Sequence, residues 1–228
     1  MEREPLAVGL MVPGNNTTME PELLGWLPEG SSCRTLRVPR GKGTLSAADL
    51  PDYLAQTLKL ARDFADEDID LVVYGCTAAG FMGGLARDRA LSTDLAKVTG
   101  KRVVSTASAM IAALEHLGAA RIAVITPYQD EVNERLRAFL AEAGIAVDAL
   151  STFGASTVDE LAAIKSEHIV ARARGLVRPA TDALFIACSQ LPTHAIIPQL
   201  ECELEIPVWS SIRATAWQAM QVKPVAFA

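Results

Sequence analysis

Two segments of this 228-residue chain share one order: an aspartate, an apolar run, then a cysteine followed by a hydroxyl residue. They are Asp70-Leu-Val-Val-Tyr-Gly-Cys76-Thr77 and Asp182-Ala-Leu-Phe-Ile-Ala-Cys188-Ser189, offset by 112 positions (76 to 188). Val12-Pro13-Gly14-Asn15 stands opposite Thr126-Pro127-Tyr128-Gln129 at an offset of 114 (13 to 127). Val103-Val-Ser-Thr106 stands opposite Val208-Trp-Ser-Ser211 at 105 (103 to 208). Segments kept in order, with an offset that falls slowly through the loops, are what internal duplication leaves. Two unrelated α/β halves would also share an element order. They would have no reason to repeat a cysteine and a hydroxyl at the same strand end.

Within each copy, short apolar runs alternate with helical spacing. Strands are expected at Leu6–Val12, Cys33–Val38, Asp70–Tyr74 and Arg102–Ser105. In the second copy they are expected at Arg121–Ile125, Ile145–Leu150, Ala183–Ala187 and Ile206–Trp209. Helices are expected near Met19–Leu27, Asp49–Asp66, Leu85–Val98 and Ala107–Leu117, then Asp130–Ala143, Val158–Val177, Thr193–Glu203 and Ala214–Val222. Gly75–Gly80 reads as a loop. Continuous apolar strands between helices predict an α/β fold with parallel sheets covered on both faces. The expected division is an N-terminal half over 1–105 and a C-terminal half over 106–228, with the last helix and C-terminal segment free to cross over. The tail Lys223-Pro-Val-Ala-Phe-Ala228 reads as either an ordered strap or a frayed end.

Composition narrows the function. The formal charge is −6, with no basic stripe, so nucleic acid is not an expected partner. An anionic ligand would be held by local backbone N–H groups, amides and hydroxyls. No apolar stretch reaches the roughly 18–20 residues of a membrane span, and Met1-Glu-Arg-Glu-Pro5 lacks the features of a secretory signal. The expectation is a cytoplasmic protein, with an apolar excess that favours a homo-oligomer. Four cysteines (33, 76, 188 and 202) form no CxxC pair, and His116, His168 and His194 lack metal-ligand spacing. Neither a disulfide framework nor a metal is expected.

Ligands of open parallel sheets bind beyond the carboxyl ends of strands. Two equivalent halves facing across a cleft would bring Cys76 and Cys188 to opposite sides of one small molecule. Backbone N–H groups opening the next helix would lower each thiol's pKa, and with the hydroxyls of Thr77 and Ser189 would cradle a carboxylate. A single cysteine at a strand end reads equally as a small hydrophobe; the symmetric pair is what points to chemistry. Cys33 and Cys202 have no such loop and read as packing residues. In Asn15-Asn16-Thr17-Thr18, Thr17 and Glu20 fit a capping box, which leaves Asn16 as a candidate ligand contact. Tyr128 is either a lid or a donor, and Ser156 and Thr157 occupy a comparable loop.

Val12-Pro-Gly-Asn-Asn-Thr-Thr-Met-Glu20, Tyr74-Gly-Cys-Thr-Ala78, Thr126-Pro-Tyr-Gln-Asp-Glu-Val-Asn-Glu-Arg135 and Cys188-Ser-Gln-Leu191 together resemble the aspartate/glutamate racemase superfamily. Within it they are most similar to maleate cis-trans isomerases, with arylmalonate decarboxylases as near relatives. The resemblance runs over nearly the whole chain. It implies two Rossmann-like halves related by a pseudo-twofold axis, an active site in the cleft between them, no cofactor, and a small carboxylate as the partner. By motif, Cys76 would be the nucleophile and Cys188 the proton partner. Asn16, Tyr128 and the Thr77-Ala78 and Ser189-Gln190 segments would bind the carboxylates. Similar isomerases carry an asparagine in the loop that here reads Gly154-Ala-Ser-Thr-Val158, so Ser156 or Thr157 would have to replace it. Arylmalonate decarboxylases keep only the second cysteine. Three alternatives stay open: a racemase of amino acids or hydantoins using the same thiols, a decarboxylase needing Cys188 alone, and a small-acid binding protein needing neither.

Overall fold

Strands β1 (Ala7–Pro13), β2 (Ser32–Val38), β3 (Leu71–Tyr74) and β4 (Arg102–Ser105) form one parallel sheet in the order β2-β1-β3-β4. Strands β5 (Arg121–Thr126), β6 (Ala146–Thr152), β7 (Ala183–Ile186) and β8 (Val208–Ser210) repeat it as β6-β5-β7-β8. This computed structural model describes residues 4–221, so the tail from residue 222 lies outside the described residues. The central strands β3 and β7 are buried at every position, as strands covered on both faces must be.

The repeat extends to register. Val8 pairs with Leu71 in the first sheet and Ile122 with Ala183 in the second, positions related by 114 and 112 (8 to 122, 71 to 183). Val72 pairs with Val103 and Leu184 with Val208, related by 112 and 105 (72 to 184, 103 to 208). Side-chain clamps repeat as well. The Asp70 carboxylate accepts from the Ala7 N–H at 2.7 Å, and the Asp182 carboxylate from the Arg121 N–H at 2.7 Å. Ser105 Oγ accepts from the Ser108 N–H at 2.9 Å, and Ser210 Oγ from the Arg213 N–H at 3.2 Å. Each clamp occupies a backbone donor left over where an element begins.

The helices are α1 (Met19–Trp26), α2 (Leu50–Ala61), α3 (Thr77–Phe81), α4 (Gly84–Thr99), α5 (Thr106–His116), α6 (Asp130–Glu142), α7 (Val158–Ala162), α8 (Ser166–Arg174), α9 (Ile197–Leu204) and α10 (Ser211–Gln221). α10 follows the last strand of the second sheet yet packs on α5 and α1 beside the first. Three expectations are corrected. Residues 77–81 are helical rather than loop, because Cys76 occupies the N-cap and its carbonyl accepts from the Gly80 N–H at 3.1 Å. The helix expected over Val158–Val177 is split into α7 and α8, and α9 starts only at Ile197, with proline in its first turn. No helix among the described residues is long and apolar enough to cross a membrane.

Candidate active site

Both cysteines are presented by the same local bond. The Gly75 N–H donates to the Met11 carbonyl at 2.7 Å, and the Ala187 N–H to the Ile125 carbonyl at 2.9 Å, equivalent positions in the two sheets. Gly75 must be bare at that place, since a Cβ would sit 2.9 Å from the Met11 carbonyl oxygen and 2.5 Å from Met19 Sδ. The chain therefore leaves the sheet at the next residue, and each thiol turns into one shared, small cavity.

Cys76, Cys188, Asn16, Thr77, Ala78, Tyr128, Ser189 and Gln190 all line this cavity. Thr157 does not. Its hydroxyl accepts from the Glu160 N–H at 3.1 Å and caps α7, while Ser156 Oγ donates to the Glu160 carboxylate at 2.9 Å. Neither loop hydroxyl lines the cavity, so neither is placed to replace an asparagine there. The loop serves as a wall instead. The Thr44 N–H donates to the Ser156 carbonyl at 3.2 Å, and the Val158 N–H to the Lys42 carbonyl at 3.0 Å. A segment of each half thus clasps the other, with Thr44, Leu45, Ala155 and Leu161 facing the cavity.

The polar atoms of the lining fall into two groups. Those of Asn16, Ser189 and Gln190 are engaged in joining the halves. Asn16 Nδ2 donates to the Ser189 carbonyl at 3.2 Å and to Ser189 Oγ at 3.1 Å, and Ser189 Oγ donates to the Gly75 carbonyl at 2.6 Å. Asn16 Oδ1 accepts from the N–H groups of Thr18 and Met19 at 3.0 and 2.9 Å, so Asn16 does the capping expected of Thr17. Gln190 Oε1 accepts from the Thr17 N–H at 3.2 Å. The second group is buried without any hydrogen bond: Asn15 Oδ1, Thr77 Oγ1, the Tyr128 hydroxyl and Arg40 Nε. Buried polar atoms are almost always paired, and here four unpaired ones share one cavity.

Burial reverses the expected sign of thiol acidity. It raises the Cys76 pKa, opposed first by the Arg40 guanidinium and then by the Ala79 N–H and the Tyr53 hydroxyl. Cys188 is pushed up to about 11 by burial, against the Gln190 N–H at 3.4 Å and the Tyr128 hydroxyl. The two phenols lie beside their thiols, near enough to favour thiolate but outside hydrogen-bond geometry. Backbone donors are present, as the sequence implies, but desolvation outweighs them. At neutral pH both thiols rest protonated.

Asn15, its neighbour Asn16 being engaged, carries the orphan amide oxygen. Two contributors escaped the sequence. Tyr53 lies within the apolar spacing of α2 and reads there as core. Arg40 stands in Pro39-Arg-Gly-Lys-Gly43, a segment with no periodicity, and a search for basic stripes passes over one cation. Cys33 is half-buried and Cys202 exposed, and neither lines the cavity.

A family model described as arylmalonate decarboxylase matches residues 8–226. The maleate isomerase of Nocardia farcinica is 28% identical over 222 residues, covering 94% of this chain and 88% of that protein. The arylmalonate decarboxylase of Bordetella bronchiseptica is 29% identical over 185 residues, covering 80% and 77%. Among solved structures, a cysteine-to-serine mutant of the Nocardia farcinica maleate cis-trans isomerase with a covalently bound succinylcysteine intermediate matches with a TM-score of 0.88. The identity is 28%, over 96% of this chain and 92% of that one.

Proposed function

Because the chain belongs to the arylmalonate decarboxylase family, we propose that its paired thiols catalyse the cis-trans isomerisation of maleate, or of a similar small unsaturated dicarboxylate, to fumarate. The observation that carries this reading is that two cysteines from equivalent strand ends line one small cavity with unsatisfied polar atoms around them. A decarboxylase using one thiol has no need of Cys76 there. The succinylcysteine in the Nocardia farcinica enzyme is the adduct such a reaction would pass through.

In the proposed mechanism Cys76 loses its proton to solvent as the cavity fills, and the thiolate adds to one alkene carbon. The π electrons move to the neighbouring carbon and its carboxylate, where Thr77 Oγ1 and the Tyr128 hydroxyl face the developing charge. Cys188, with a pKa near 11, is protonated at pH 7 and delivers its proton to the carbanion. The succinyl adduct rotates about the former double bond, now a single C2–C3 bond. Cys188 thiolate then takes the proton back, the C–S bond breaks, and the trans alkene leaves. No electrons are gained or lost. Asn16, Ser189 and Gln190 hold the two thiol-bearing loops together, and Ala78 forms part of the wall. We further read the protein as a cofactor-independent cytoplasmic homo-oligomer, the last checked by light scattering of the purified protein.

The test is proton NMR of the purified protein with maleate in deuterated buffer, with no metal or cofactor added. Appearance of fumarate supports the isomerase. Deuterium entering the α position of aspartate, glutamate or a hydantoin, without fumarate, would transfer the assignment to a racemase. Loss of carbon dioxide from an arylmalonate by a Cys76→Gly variant and the parent alike would transfer it to a decarboxylase.

A further inference from the structure

Among the described residues lining the thiol cavity, Arg40 is the one that carries a charge. Its Nε is buried without a hydrogen bond, and no described carboxylate pairs with its guanidinium. The side chain also borders a second cavity lined by Asp49, Asp52, Tyr53 and Gln56, but Asp49 is turned to Ser46 Oγ at 2.5 Å. A half-buried cation without a counter-ion is costly, and a protein of net charge −6 has carboxylates in plenty with which to pair it. Leaving it open on the ligand side is a feature of the site.

We propose that Arg40 is the carboxylate-binding cation of this cavity and makes it selective for carboxylates over their neutral amides. The inference rests on the isomerase reading for its substrate, but its geometry is independent of the reaction. A guanidinium offers a planar fork that matches both oxygens of one carboxylate, which a lone hydroxyl or ammonium does not. With Arg40 on one carboxylate, the orphan Thr77 and Tyr128 hydroxyls remain for the other. The neighbours that titrate around Arg40 are Cys76, Cys188, Tyr53 and Tyr128, all neutral at rest, with the carboxyls of Asp49 and Asp52 across the second cavity. The lining of the thiol cavity therefore carries one charge, positive. Arg40 is also the first influence opposing burial at Cys76, so the same cation that draws in the dianion favours the thiolate that attacks it.

The experiment compares maleate with maleamide, which keeps the cis alkene but replaces both carboxylates by amides. The parent enzyme is expected to prefer maleate, and Arg40→Gln to raise KM for maleate by roughly 10- to 100-fold while changing that for maleamide by less than about threefold. Arg40→Lys keeps the charge without the fork and should retain part of the preference. An equal loss on both substrates, or none, overturns the proposal; circular dichroism and Tm of the variants separate misfolding from lost recognition. If the parent turns over neither alkene, the isomerase reading falls and Arg40 is tested alone, by protection of Cys76 from iodoacetamide. Succinate should then protect at a concentration roughly tenfold below that of succinamide, with the difference erased in Arg40→Gln. Equal protection by both compounds in the parent overturns the assignment.

Discussion

Replacing Tyr128 by phenylalanine separates architecture from chemistry within one cavity. The phenol oxygen is buried and bonded to nothing, so removing it breaks no protein hydrogen bond. The ring's edge contact with Phe81, at 5.5 Å between centroids, survives in Tyr128→Phe. An unpaired buried polar group costs about 1–3 kcal/mol, and its removal should therefore leave folding unchanged or raise Tm by a few degrees, at about 2–4 °C per kcal/mol for a chain of this size. The reaction should suffer the opposite way. If the hydroxyl donates to a carboxylate or carbanion, that charge-assisted bond is worth about 1.5–3 kcal/mol, or roughly 10- to 150-fold in kcat/KM. Asn16→Ala is the counterpart. It removes four side-chain bonds, to Ser189, Thr18 and Met19, and should lower Tm through loosening of the two halves. The assays are differential scanning calorimetry and initial rates on maleate. A Tyr128→Phe protein that melts well below the parent yet keeps full kcat/KM would refute the reasoning, since the orphan oxygen would then be structural.

Cys76→Ala and Cys188→Ala should each abolish fumarate formation, whereas Cys33→Ala and Cys202→Ala should stay close to the parent; equal rates in all four would dismiss the two-thiol scheme. The pH dependence follows from the raised thiol pKa values. Cys76 must lose a proton and Cys188, at about 11, must keep one, so kcat/KM for maleate should climb with pH by up to about tenfold per unit from pH 7 to 9. A flat or falling profile over that range would contradict protonated resting thiols. Thr157→Ala removes the α7 cap and should cost about 1 kcal/mol of stability, seen in urea melts, while leaving the maleate KM in place. Gly75→Ala would push a methyl against the Met11 carbonyl and should lower both Tm and turnover, because overpacking of about 1–3 kcal/mol falls on the bond that aims Cys76.

What was legible in the sequence and what was not divides along a physical line. Duplication preserves register, because slipping a strand by one residue would turn its apolar side chains out of the core. The offsets between Val8 and Ile122, Leu71 and Ala183, and Val103 and Val208 could therefore be read before any fold was known, and so could two thiols at equivalent strand ends. Symmetry then stops being a guide. Ser189 Oγ donates to the Gly75 carbonyl, while its counterpart Thr77 Oγ1 is bonded to nothing, although both follow a cysteine and read alike. Arg40 reaches the thiols only because the segment before α2 folds back over the cleft and is clasped by residues 156–158, a contact between halves that local spacing does not encode. The pKa of each thiol departs from the sequence expectation for the same reason: N–H donors are local and visible in the chain, but burial, which outweighs them, is set by how the rest of the fold closes over the site. A duplicated fold thus supplies two equivalent thiols, and it is the unequal closure around them, with Arg40 the first influence against burial at Cys76 but the last at Cys188, that can make a nucleophile of the first and an acid of the second.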